Sequence, residues 1–115
     1  MAMDLEEFQL VMLVRPDSAP EFSEAAAAAL QQEHLDYYAE LRRGGQVVTN
    51  GPVLDQPDER LRGLAFFRVG SVAEAREIAS ADPAVRAGRL GVEAMTWWCP
   101  AGTMAGRGRP FTVGG

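Results

Sequence analysis

His34 is the only histidine among 115 residues, and it stands between Leu30 and Tyr38 at the three-and-four spacing of one helical face. A leucine there would serve packing better, because a buried imidazole costs free energy unless its nitrogens find hydrogen-bond partners. Imidazole is also the side chain suited to moving protons near neutral pH, so the position offers a general acid or base. Asp82 is the second group of interest: it precedes Pro83, and Asp before Pro is what the start of a helical turn asks for. Spacing alone leaves each with an ordinary structural reading, a hydrogen-bonded core histidine and a helix cap. Tyr38, one turn beyond His34, offers a hydroxyl to orient a ligand or an aromatic ring for the core. Gly51-Pro52 suits either a backbone that approaches a ligand closely or the end of a strand. Arg15 supplies a cation for an anionic substrate or for solvent.

Other chemistries find little support. Cys99 is the only cysteine, so no internal disulfide forms; strand packing is its ordinary role, and a nucleophile would need a base of its own. One histidine, one cysteine and scattered carboxylates give no metal-ligand spacing, and no glycine-rich loop opens a helix after a strand, so neither a metal nor a phosphate-bearing cofactor is implied. The net charge is −5, and all 11 basic residues are scattered arginines, which excludes the cationic footprint of a nucleic-acid or anionic-membrane binder. The stretch from Met1 to Glu7 is acidic, and no apolar run approaches the roughly 20 residues that span a bilayer, so the expectation is a cytoplasmic protein. With 47% hydrophobic and 23% charged residues, the chain has the composition of one globular domain.

The elements that must position these residues follow from local patterning. Phe8 to Arg15 is an apolar run stopped by Pro16-Asp17 and reads as the first strand. Ser18 with Glu21, or else Ser23, caps a helix on which Ala27, Leu30, His34, Tyr38 and Leu41 form one stripe, ending at Gly44-Gly45. Gln46 to Asn50, closed by Gly51-Pro52, and Leu64 to Val69 read as two strands joined by a polar connection. Ser71 with Glu74 caps a shorter helix, Asp82-Pro83 opens a single turn ending at Gly88, and Gly91 to Cys99 is the last strand. Residues 1–99 thus form the domain, with 100–115 as a Gly-rich tail in which Met104 and Phe111 are the candidate anchors.

The order β-α-β-β-α-β is that of an α+β ferredoxin-like fold, two helices covering one face of a four-stranded antiparallel sheet. Both alternating sets of the first strand are apolar, as are both faces of the strand from Leu64 to Val69, whereas a sheet with one wet face should alternate with polar residues. The open face therefore predicts an isologous homodimer, sheet against sheet, with pairing of dimers left open. Trp97 and Trp98 point to opposite faces, where each packs or lines a pocket.

The run Glu33-His34-Leu35-Asp36-Tyr37-Tyr38, then Gly45-Gln46-Val47-Val48, Asn50-Gly51-Pro52, Gly63, and Ala81-Asp82-Pro83 with Arg86-Ala87-Gly88, resembles the YCII-related (YciI-like) family across residues 8 to 98. The resemblance implies a dimeric α/β barrel and a catalytic dyad of a first-helix histidine with the aspartate of the Asp-Pro motif, here His34 and Asp82. Beside that dyad, the positions of Tyr38, one turn past His34, and of Gly51-Pro52 make a substrate contact and a pocket floor the expected binding roles. Relatives in the wider superfamily dehydrochlorinate chlorinated hydroquinones or isomerise muconolactone. The expected function is thus a cofactor-independent lyase or isomerase of a small carbonyl compound, with proton transfer at His34. A protein that binds a small metabolite without turnover is the alternative, and a purely structural dimer, with a filled interior around His34, is the third reading.

Overall fold

The computed structural model describes residues 2–105 and 110–113. Positions 106–109, which include the tail's Arg107 and Arg109, and 114–115 lie outside the described residues. The elements are β1 (Leu5–Val14), α1 (Glu24–Arg43), β2 (Val47–Pro52), β3 (Leu61–Phe67), α2 (Val72–Ser80), α3 (Pro83–Arg86), β4 (Gly91–Pro100) and a short 3-10 turn, Thr103–Ala105. The strands form one antiparallel sheet in the order β2-β3-β1-β4, the ferredoxin-like arrangement expected from the sequence.

Register sets the two faces. Val11 lies opposite Ala65 and Ala94, and Leu13 opposite Gly63 and Val92, so the odd positions of β1 share a face with these residues. That face joins Tyr38 and Leu41 of α1 and Ala75 and Ala79 of α2 in the core, with Val47 and Phe67. Burying each larger side chain among these is worth about 1.5–3 kcal/mol. Ser23, not Ser18, caps α1 by accepting from the Ala26 amide, and Ser18 sits in a turn instead. Ser71 caps α2 by accepting from the Glu74 amide. Gly45 and Gly88 take positive φ where the chain leaves α1 and α3.

Three boundaries differ from the sequence reading. β2 continues through Gly51 and Pro52, which pair with Leu64 and Gly63; β2 is an edge strand, where a proline need not donate to a second neighbour. β3 begins at Leu61 rather than Leu64 and ends at Phe67, with the Val69 amide donating to Gln9 Oε1 beyond it. β1 and β4 each extend outward because Leu5 pairs with Pro100.

The second face carries Phe8, Leu10 and Met12 of β1 opposite Trp97, Met95, Phe66 and Leu64 of the flanking strands. Trp97 gathers Phe66 and Phe8 at ring-centroid distances of 5.1 and 6.3 Å, and Met95 is 37% exposed. Among the described residues, no helix covers this face. Met104 borders a small cleft with Phe8 and Val48 at its edge, whereas Phe111, the other expected anchor, is 78% exposed. Trp98 lies on the opposite side from Trp97, exposed, with its indole N–H donating to Glu7.

Candidate active site

His34 and Asp82 lie 48 positions apart in sequence and meet in the fold, His34 Nδ1 standing 2.5 Å from Asp82 Oδ2. Asp82 comes to this place because α2 ends at Ser80 and α3 starts immediately after, packed against the middle of α1. The Asp82 carboxylate is fully buried, and each oxygen has its own partner: Oδ1 accepts the Ala84 amide at 2.9 Å, capping α3, and Oδ2 faces the imidazole. A buried carboxylate with both oxygens engaged is a rigid acceptor, and it avoids the penalty of an unpaired interior charge. The helix cap and the histidine partner are therefore one side chain in two simultaneous roles.

An acceptor at Nδ1 selects the tautomer. Nδ1–H donates to the carboxylate, and the Nε2 lone pair is left on the opposite edge of the ring. That edge matters because His34, itself 9% exposed, borders a cavity of about 630 Å³. Its walls come from the first turns of α1 (Ala27, Gln31, Leu35), the β1–α1 connection (Pro20, Phe22), the β2–β3 edge (Asn50, Gly51, Pro52, Gly63) and Leu90. The volume falls within the range of small-molecule pockets, about 300–1,000 Å³. The apolar stripe read along α1 is divided: Tyr38 and Leu41 enter the core, while Ala27 turns to the cavity.

The residues singled out from the sequence separate into two groups. His34, Gly51, Pro52 and Arg15 line the cavity, and Asp82 stands behind His34. Tyr38 does not line it: the side chain is fully buried under the imidazole, ring centroids 5.1 Å apart, and packs edge-on against Phe67. A helical turn moves a side chain along the axis as well as around it, and here that step leads from cavity to core. Arg62 and Arg89, neither singled out, line the cavity too. Arg62 alternates with Gly63 at the true start of β3, a strand-like alternation in a stretch read as a connection.

The Tyr38 hydroxyl is buried without a hydrogen-bond partner among the described residues. Burial, then the Asp82 carboxylate, then Tyr37 push its pKa above the ordinary tyrosine value; burial, then Asp82, do the same for Tyr37, whose hydroxyl donates to the Ile78 carbonyl. Tyr38→Phe is thus expected to change unfolding free energy by less than about 1 kcal/mol at neutral pH, or to stabilise. Both phenols hold their protons more tightly folded than unfolded, so this stability is complete below about pH 10 and falls as pH rises above it. Urea midpoints at about pH 8 and pH 11 should show a smaller alkaline loss in Tyr38→Phe than in the wild type.

Among the described residues, no group of three or more His, Cys, Asp and Glu side chains is placed to hold a metal ion, and no helix is long and apolar enough to cross a membrane. Fold and site together define a ferredoxin-like α+β domain with a buried histidine–carboxylate pair at the wall of a cavity. The YCII-related domain matches residues 9–98, and the chain belongs to that family. The fold is also similar to a solved structure of 5-chloro-2-hydroxyhydroquinone dehydrochlorinase (TftG) from Burkholderia phenoliruptrix AC1100 in complex with 2,5-dihydroxybenzoquinone. That likeness has a TM-score of 0.57 at 18% identity and covers 78% of this chain and 92% of that one, which speaks for the fold alone. No match to the curated proteins is found.

Proposed function

We propose that the protein is a small-molecule enzyme of lyase or isomerase type, working without a cofactor, in which His34 transfers the proton and Asp82 holds the imidazole in place and in one tautomer. The observation that carries this reading is the 2.5 Å contact between His34 Nδ1 and a carboxylate already fixed as a helix cap, at the edge of a cavity. Nε2 takes a proton from a carbon or oxygen acidified by a neighbouring carbonyl. The electron pair enters the carbonyl as an enolate, and the imidazolium so formed is stabilised by Asp82. Return of the proton to another carbon completes an isomerisation; collapse of the enolate with expulsion of a leaving group as its anion, and release of the imidazolium proton to that anion or to solvent, completes an elimination. TftG, of similar fold, is named a dehydrochlorinase, a reaction of the second kind. Gly51 and Pro52 would form the floor against which substrate lies, and Tyr38 would support the imidazole from the core rather than touch substrate.

The test is a screen of carbonyl and halogenated ring compounds with the wild type and His34→Ala side by side. The reading expects turnover in the first and its loss in the second; equal turnover in both would end it. A binding protein without turnover would instead show saturable binding, weakened in the variant, and no product. The expected cytoplasmic setting has the single, buried and unpaired Cys99 in its favour.

The working unit would be a homodimer in which the uncovered sheet faces pack together. Its support is the aromatic and aliphatic surface of Phe66, Trp97, Leu64 and Met95, a patch of the kind that marks an interface. Sedimentation should give twice the 12.4 kDa chain mass. Met95→Glu, placing a charge on a partly exposed position of that face, should shift the protein to the monomer; a wild-type monomer at micromolar concentration would contradict the dimer.

A further inference from the structure

The charged groups around the cavity run against the composition of the chain. Acidic residues outnumber basic ones 16 to 11 overall, yet the cavity lining contains Arg15, Arg62 and Arg89 against the single carboxylate of Glu21. The three arginines come from separate places, Arg15 just past β1, Arg62 within β3 and Arg89 after α3, so folding brings them together. Among the described residues none of the three makes an ion pair, whereas Arg43 and Arg60 are paired with Glu40 and Glu93. Arg89 is anchored through Nη1 to the Ala27 carbonyl at 3.2 Å, which orients its guanidinium at the cavity wall. Asn50, on the β2 side, accepts from Arg42 through Oδ1, so its amide NH2 remains a donor. Like charges sharing one concavity repel, and an anion relieves that repulsion while gaining forked, charge-assisted hydrogen bonds. The same lining includes Leu13, Phe22 and Leu90, apolar wall suited to hydrocarbon or a ring.

We infer that the ligand of this cavity is a small organic acid, its carboxylate held by Arg15, Arg62 and Arg89 and its apolar body lying toward His34. This names the substrate class of the site proposed above, and it rests on that reading for the chemistry but not for the binding. A neutral or cationic ligand would leave the guanidinium groups uncompensated. An inorganic anion would leave the apolar wall unused.

Calorimetric titration of the wild type with benzoate, benzamide and inorganic phosphate provides the test. Benzoate should bind saturably in the millimolar range or tighter, and both benzamide and phosphate at least about tenfold more weakly. The double variant Arg15→Gln/Arg62→Gln changes two exposed side chains and should melt as the wild type does. It should lose about tenfold to a hundredfold in benzoate affinity, the loss expected for charge-assisted hydrogen bonds. His34→Gln should bind benzoate within about threefold of the wild type, since the imidazole is not the anion's partner. Absent benzoate binding, equal affinity for benzamide, or unchanged affinity in the arginine variant would overturn the inference, and phosphate binding as well as benzoate would overturn the organic-acid assignment. Turnover surviving in His34→Gln would remove the proton-transfer reading and leave this one standing.

Discussion

His34→Gln is expected to lower turnover about 10²- to 10⁴-fold, the range for removing a positioned general acid or base. Glutamine offers an amide N–H toward Asp82 Oδ2, so the buried carboxylate keeps a partner where alanine would leave it unpaired, and the fold should survive. Loss of rate with a retained melting curve is the informative combination, because it separates proton transfer from scaffolding. The fall should lie mainly in kcat: the imidazole acts in the transition state, while the cavity walls that hold substrate are untouched. A variant with unchanged turnover would mean that some other group moves the proton.

At Asp82 two substitutions should give opposite profiles. Asp82→Ala removes the cap on the Ala84 amide and strands a buried Nδ1–H, for a combined cost of about 2–4 kcal/mol in unfolding free energy. Asp82→Asn is the subtler change. Its carbonyl oxygen still caps α3, but its amide N–H now faces Nδ1, which must accept, so the proton moves to Nε2 and the edge toward the cavity becomes a donor. Stability should change little, while turnover falls about 10³- to 10⁴-fold, comparable to the loss known for an aspartate-to-asparagine change behind a catalytic histidine. Urea unfolding and steady-state rates of the two variants separate these roles. Equal rates in wild type and Asp82→Asn would show that the tautomer is immaterial.

What the sequence made legible was local. Ser71 with Glu74, Gly45, Asp82-Pro83 and the stripe of His34, Tyr38 and Leu41 each fix structure through neighbours within about one turn, and each appears in the fold. β1, apolar on both faces in the sequence, lies between β3 and β4 in the sheet. The errors came where a residue's meaning depends on a distant partner. Gly51-Pro52 resembles a strand terminator until β2 is known to be an edge; Arg62 resembles a solvated connector until it is seen beside Gly63 on the cavity rim. Tyr38 shares the helical face of His34, but which turn of that face meets open space depends on where the β1–α1 connection and the β2–β3 edge stand apart from α1, and no periodicity carries that information. The pairing of His34 with Asp82 was implied by family resemblance, since nothing local links two residues so far apart.

The most direct measurement of the central claim uses the fact that His34 is the only histidine, so its ring nitrogens give an unambiguous signal. A long-range proton–nitrogen correlation spectrum of the neutral imidazole should show Nδ1 protonated and Nε2 bare in the wild type, with the assignment reversed in Asp82→Asn. A wild-type ring carrying its proton on Nε2, or one exchanging freely between tautomers as in an unrestrained peptide, would contradict the account.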